Sequence, residues 1–313
     1  MNLLLSKNYS SILLILGCTL LISSCSRSTS DKNSIEVKLP KENDSVFEKE
    51  APKKPEYIIT YRLDSLANEI QIDSFKTRYS TEQQKMIFAL NRRDPSRLKI
   101  GMNLVIPDTL FNDIKKYSPF PEEFDVLDSI PKVVLISQRI QGFALYERGK
   151  LVKWGPVSSG KKSTPTPNGL HYGNFKAKEK ISTVNPDWLL PYYFNFMNFE
   201  GVGVHEYALP GYPASHACVR LRLEDSQFIY DWASQWKLDK RGREIEKNGT
   251  PFMVFGEYDY TNPVPWQKLV QDAKSNYLTV VELETLKQFA QEFLKNEKNF
   301  DDIIDESELL VSN

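Results

Sequence analysis

The chain has 313 residues, of which 41% are hydrophobic and 12% aromatic. That is enough to bury a sizeable core, and it exceeds one domain of about 100–150 residues. With a formal net charge of −1 and its Lys and Arg spread along the chain, it lacks the broad basic field that holds phosphate backbones, so nucleic acid is not an expected partner.

Lys7 precedes an apolar run from Ile12 to Ile22, short of the roughly 20 residues that span a bilayer but suited to the core of an export signal. The run ends in Ile22-Ser23-Ser24-Cys25, which resembles a bacterial lipobox. The resemblance implies removal of residues 1–24 as a signal peptide and lipidation of Cys25 as the new N-terminus. With Ser26 rather than an acidic residue next, it further implies a periplasmic protein held by lipid to the outer membrane. Residues 25–55 are rich in Ser, Lys, Glu, Asp and Pro with few large apolar side chains, and are expected to be a flexible tether. Of the three cysteines, Cys18 leaves with the signal and Cys25 carries lipid. Cys218 is then the single thiol of the exported part, either buried as structure or used in chemistry.

Residues 56–125 are expected to form a small α+β subdomain. Thr81 to Leu90 predicts a helix with Ser80 as its N-cap. The following segment, with Asn91, Leu98, Gly101, Leu104, Ile106 and Pro107, resembles the second half of a LysM peptidoglycan-binding module, while the residues before Ser80 match that pattern poorly. Two roles follow from the resemblance: binding wall glycan, or packing against the next domain and presenting it.

From Lys132 the pattern becomes β. Val133–Ile136, Phe143–Tyr146 and Leu151–Val157 are short β-branched and aromatic runs separated by polar turns, which predicts antiparallel hairpins. Pro165, Pro167 and Gly169 punctuate a loop, and further strands are expected near Val202–Tyr207 and Phe252–Tyr258. Glu224 to Lys237 breaks the alternation and predicts a helix packing Phe228, Ile229, Trp232 and Trp236 on the sheet. In the C-terminal extension, residues 259–313, the Thr279-Val280-Val281-Glu282 capping box opens an amphipathic helix through Phe293, expected to dock on the catalytic region. The acidic stretch 301–308 is expected to be mobile. Overall the expectation is a mainly β, sandwich-like domain over residues 131–258 with one packed helix, flanked by the α+β subdomain and the C-terminal helix.

Only three histidines occur, and two of them, His205 and His216, flank the one free thiol. A cysteine nucleophile needs an imidazole or a positive charge nearby, and His205, His216 and Arg220 can supply both. In an extended segment His216, Cys218 and Arg220 share one face. A zinc site on His205, His216 and Cys218 is the competing chemical reading; it lacks paired ligand spacing and an evident fourth ligand, so no metal and no cofactor are expected.

The text Val204-His205, followed by Ser215-His216-Ala217-Cys218-Val219-Arg220-Leu221, is similar to the signature of the L,D-transpeptidase (YkuD-type) catalytic domain, an upstream His and then Ser-His-Gly-Cys-Val-Arg-Leu. Gly160, Thr166-Pro167 and Gly169 resemble that family's Thr-Pro-x-Gly loop. The resemblance implies that Cys218 is the nucleophile, His205 its general base, and that His216 and Arg220 order the site. Backbone N–H groups near Ala217 and Cys218, with Ser215 adjoining, are the implied oxyanion region. The implied partners are peptidoglycan stem peptides, whose third residue is transferred through a thioester to a diamino-acid amine, giving a 3-3 cross-link, or to a protein lysine. A hydrolase on the same scaffold and a non-catalytic wall-binding lipoprotein are the alternatives. Ala217 departs from the family glycine; if its φ is positive, alanine adds about 1 kcal/mol of strain. The aromatics Trp188, Tyr192, Tyr193 and Phe194 are either core or, since Pro186 and Pro191 suggest irregular backbone, a lid over the site.

Overall fold

A computed structural model describes residues 59–262 and 264–300. The signal, Cys25, the tether and the acidic stretch 301–308 lie outside the described residues. Among the described residues no helix is long and apolar enough to cross a membrane.

The first unit comprises β1 (Tyr61–Leu66), α1 (Glu69–Arg78), α2 (Thr81–Leu90) and β2 (Met102–Pro107). The two strands pair antiparallel, Tyr61 opposite Pro107 and Leu66 opposite Met102. Helix α2 has the expected bounds, and its start is a full capping box: Ser80 Oγ accepts the Gln83 N–H at 3.3 Å and Gln83 Oε1 accepts the Ser80 N–H at 3.0 Å. The poorly patterned stretch before Ser80 nonetheless folds as a strand and a helix. Asn68 caps α1 by accepting the Gln71 N–H at 3.0 Å, a signal weak in apolar periodicity because only Ile72 and Phe75 of that helix are buried.

The remainder runs β3 (Val133–Ser137), β4 (Gly142–Glu147), β5 (Lys150–Pro156), β6 (Gly169–Tyr172), β7 (Phe175–Ile181), β8 (Leu189–Met197), β9 (Val202–Glu206), β10 (Val219–Leu221), α3 (Leu223–Trp232), β11 (Lys237–Leu238), β12 (Ile245–Lys247), β13 (Pro251–Phe255) and α4 (Val280–Leu294). Five strands form one sheet in the order β5-β4-β3-β13-β6, four form a second in the order β10-β9-β8-β7, and β11 pairs with β12. The β3-β4-β5 meander is antiparallel as expected, but β13 joins β3 in parallel and β10 joins β9 in parallel, so the core is not built of hairpins alone.

Side-chain alternation explains why the five-stranded sheet reads as continuous apolar runs. Val134, Ile136, Phe143, Leu145, Phe252 and Val254 face the second sheet and meet Phe194, Phe196, Val202 and Val204. Their neighbours Val133, Leu135, Ala144, Tyr146, Met253 and Phe255 face the other way and share a core with Ile87 and Phe88 of α2 and with Leu286, Ala290 and Phe293 of α4. The C-terminal helix therefore docks on the five-stranded sheet as its periodicity predicts, and Arg139 adds a bidentate ion pair to Glu282, Nε and Nη2 each at 2.8 Å.

Two expectations are corrected here. Helix α3 stops at Trp232, so Trp236 lies beyond it and Phe228 is 37% exposed, leaving Ile229 as the apolar anchor. The Lys176 ammonium takes the carbonyls of Tyr230 and Ala233 at the helix end, and the Trp236 N–H bonds to Gly173 instead of continuing the helix. Pro191, Tyr192, Tyr193 and Phe194 belong to strand β8 rather than to irregular backbone; Tyr193 and Phe194 are fully buried, and the disturbance around Pro191 is confined to Tyr192 at φ +50°.

Arg92 joins the first unit to the rest. It is buried with no carboxylate bonded to it; its guanidinium donates to the carbonyls of Ile140 at 2.9 Å and Leu90, and lies 4.9 Å from the Trp266 ring and 5.9 Å from the Trp154 ring. Burial pulls its pKa down to about 9, which still leaves a cation at neutral pH. Replacing it with alanine empties a space between two tryptophans and orphans two carbonyls. Arg92→Ala is expected to lower unfolding stability by about 3 kcal/mol, read as a fall in the urea midpoint; a midpoint equal to that of the unaltered chain would contradict the clamp.

Candidate active site

Strands β9 and β10 place the chemistry. They pair in parallel with Val204 opposite Val219 and His205 opposite Arg220. Val202, Val204, Val219 and Leu221 point into the core between the sheets, so His205 and Arg220, with Cys218 two residues before Arg220, point to the opposite side. There a cleft of about 360 Å³, open to solvent, is lined by Cys218, His205, His216, Arg220, Ser215 and Trp188, with Ser182, Val184, Leu190 and Tyr207. Five of the candidate site residues, His205, Ser215, His216, Cys218 and Arg220, thus line one cleft, although the motif is not extended as expected. Ala217 sits at φ +76°, which turns the chain sharply between His216 and Cys218.

That turn is held from both sides by satisfied carbonyls. The Ser215 carbonyl accepts from the Lys161 N–H at 3.0 Å and from Thr164 Oγ1 at 3.3 Å. Thr166 Oγ1 donates to the Ala217 carbonyl at 2.7 Å and accepts the Gly160 N–H at 2.9 Å. Ser215 Oγ donates to the Cys218 carbonyl. The Thr-Pro loop is therefore the splint of the cysteine turn. Gly160 is needed because a Cβ there would lie 2.3 Å from the Thr164 carbonyl oxygen.

The protonation of both imidazoles follows from their partners. His205 Nδ1 lies 2.8 Å from the Glu206 carbonyl, which can only accept, so Nδ1 carries the proton and Nε2 is the free base. Burial, partly offset by that hydrogen bond and reinforced by the Arg220 charge, holds the His205 pKa down at about 4. His216 accepts a hydrogen bond from the Lys161 ammonium, Nζ to Nε2 at 2.8 Å, and its ring lies 5.3 Å from that of Trp188. An ammonium has no acceptor site, so His216 is neutral with its proton on Nδ1. Desolvation and then the charges of Lys161 and Arg220 lower its pKa.

Cys218 is free and partly buried, with Sγ 3.8 Å from the Gly201 carbonyl. Burial raises its pKa, against smaller lowering effects from the Gly203 N–H, Lys180 and Arg220. The resting site is therefore a neutral thiol beside a neutral base. Arg220 is largely engaged in structure: it donates to the carbonyls of Ala208 at 3.5 Å and Ala214 at 3.1 Å and stacks 4.7 Å from the Tyr207 ring. Among the described residues, no three His, Cys, Asp or Glu side chains are grouped to hold a metal ion.

Residues 131–254 match the family model YkuD, the L,D-transpeptidase catalytic domain. This segment is a YkuD-type L,D-transpeptidase catalytic domain. Among solved structures, the chain is similar to an L,D-transpeptidase from Stackebrandtia nassauensis, at 27% identity over 42% of this chain and 58% of that one, with a TM-score of 0.34. An L,D-transpeptidase from Mycobacterium smegmatis shares 19% identity over 40% and 59%, with a TM-score of 0.33. A Xylanimonas cellulosilytica L,D-transpeptidase fragment shares 21% over 66% of this chain and 100% of that one, with a TM-score of 0.39. The chain thus spans 58% and 59% of the first two relatives' lengths. No curated protein matches it.

Sequence reasoning placed Cys218, His205, His216, Ala217, Ser215 and Arg220 in one locality, and it missed Lys161, Tyr207 and the splinting role of Thr166. Lys161 carries no local mark, since its partner His216 is 55 residues away. Of the aromatics weighed as a lid, Trp188 lines the cleft while Tyr193 and Phe194 are core.

Two outcomes are expected. Because Ala217 occupies a conformation that glycine adopts freely, Ala217→Gly should raise unfolding stability by about 1 kcal/mol, and a loss of stability would contradict the strain. Since burial lifts the thiol and only the thiolate is alkylated, the rate of Cys218 modification by iodoacetamide should keep climbing beyond pH 9; a plateau reached near pH 6 would instead reveal a standing thiolate–imidazolium pair.

Proposed function

We propose that the chain is an L,D-transpeptidase of the periplasmic wall, held by lipid on Cys25 and reaching peptidoglycan through the tether at 25–55. The observation that carries this reading is that, on a YkuD-type domain, the free Cys218 thiol lines the same cleft as His205, whose protonated Nδ1 leaves Nε2 as a base.

The chemistry balances as two acyl transfers. His205 Nε2 takes the thiol proton as Cys218 Sγ bonds to the carbonyl carbon of the third stem residue. The imidazolium returns that proton to the departing amine of the terminal D-alanine as the C–N bond breaks, leaving a thioester. The amine of a second stem's diamino acid, or of a protein lysine, then attacks, loses a proton to His205, and the C–S bond breaks with the thiol reprotonated. The backbone N–H groups of Ala217 and Cys218 are the proposed donors to the tetrahedral oxyanion, each worth roughly 3 kcal/mol in comparable acyl transfer. His216, held neutral by Lys161, and Arg220, held by its two carbonyls, keep the turn in place. The βααβ unit presents the catalytic domain, a role that its shared core supports.

Incubation of the purified chain with defined disaccharide-tetrapeptides, read by mass spectrometry, tests the reading. New 3-3 dimers are expected, together with a loss of at least about 100-fold in rate for His205→Ala and complete loss for Cys218→Ala. Products that are only shortened, with water as the acceptor, would replace transfer by hydrolysis. Full activity in Cys218→Ala would end both readings.

A further inference from the structure

We infer that Asp94, in the first unit, is a positioning residue for the cysteine site more than 100 residues further along the chain; this rests on reading Cys218 and His205 as nucleophile and base. Asp94 precedes Pro95 at the start of a short 3-10 turn, where an aspartate ordinarily caps the backbone. Its side chain makes no such cap. Instead its carboxylate accepts the Leu209 N–H at 2.6 Å while its own N–H donates to the Leu209 carbonyl at 3.1 Å, a two-way hold on one fully buried residue. Arg93 extends the contact as a bridge to Pro210, and its side chain fills the space over Gly211, where a Cβ would lie 2.7 Å from Arg93 Nε.

Leu209 and Pro210 lie in the segment that joins His205 to Cys218. That segment supplies every polar anchor of Arg220 described above: the Ala208 and Ala214 carbonyls, with the Tyr207 ring stacked on the guanidinium. Arg220 is the register partner of His205, and its charge acts on both His205 and Cys218. The backbone of Arg220 is held by Ser158, whose N–H and carbonyl pair with it at 3.1 and 3.0 Å, but its guanidinium keeps its place only while the segment does. From the motif side Arg220 ties that segment to the sheet, and from the opposite side Asp94 ties it to the first unit. A half-buried carboxylate accepting a short N–H bond is suited to this because the group it holds cannot turn to water instead.

The full chain carrying Asp94→Ala, Asp94→Glu or Asp94→Asn tests the inference. Each variant is followed by the pH profile of Cys218 alkylation with iodoacetamide, by acyl-transfer kinetics on stem peptides and by urea unfolding. Asparagine keeps an acceptor oxygen at the same reach and is expected to stay within about twofold of the unaltered chain in rate. Glutamate keeps the charge but is one methylene longer. It and alanine are expected to shift the alkylation profile and to lower kcat by about tenfold or more with KM for the acyl donor little changed, as for a misplaced reacting group. A folded Asp94→Ala or Asp94→Glu with the original profile and kcat overturns the inference, as does an asparagine variant as impaired as alanine. Should alanine fail to fold, the comparison of glutamate with asparagine decides on the same terms. If the unaltered chain forms no transfer product, the proposed activity fails while the alkylation arm still judges the Asp94 hold.

Discussion

The five-stranded sheet is apolar on both faces, and water has to be excluded from each. One face is covered by the second sheet, which thereby acquires its orientation and its outward-facing His205 and Arg220. The other has no partner within the catalytic segment and is covered by α2 of the first unit and by α4. The same burial that stabilises the central strands therefore draws the flanking parts of the chain into one core. Arg92, a cation sealed between Trp154 and Trp266, marks where these parts meet.

This arrangement has a consequence for the chemistry. Strand β10 is only three residues long and joins β9 in parallel, so no tight hairpin sets its register. The strand is held instead by the reciprocal backbone pair of Ser158 with Arg220 and by what holds the connection: Thr166 and Ser215 on the cysteine turn, the Arg220 guanidinium and Asp94 on the segment before it. Within that frame Ala217 accepts a left-handed backbone, a modest local strain outweighed by the three carbonyls satisfied around it. Burial within that frame is also what raises the Cys218 thiol and lowers the His205 imidazole, so that both favour their neutral forms.

Much of this was legible along the chain. The helix at Thr81–Leu90 and the start of α4 were readable because capping boxes and apolar spacing are local signals. The β3-β4-β5 meander was readable because short polar turns separate β-branched and aromatic runs. Less legible were α1, whose buried face is two residues, and β8, where Pro186 and Pro191 argued for loop while burial of Tyr193 and Phe194 made a strand. The parallel pairings left no trace in periodicity, since alternation is the same for either strand direction.

At the site the division is sharper. Sequence alone brought the candidate groups together: the Cys218 thiol, with two imidazoles and a guanidinium close to it in the chain, in a motif that resembles one catalytic family. Tertiary structure alone decided how those groups stand ready. It set the sign of φ at Ala217, the tautomers of His205 and His216, the raised thiol, and the hold of Lys161 and Asp94. The physical reason is distance along the chain. Spacing and propensity report what neighbours do to one another, whereas desolvation and hydrogen-bond partners come from residues such as Lys161 and Asp94, 55 and 115 positions from the groups they hold.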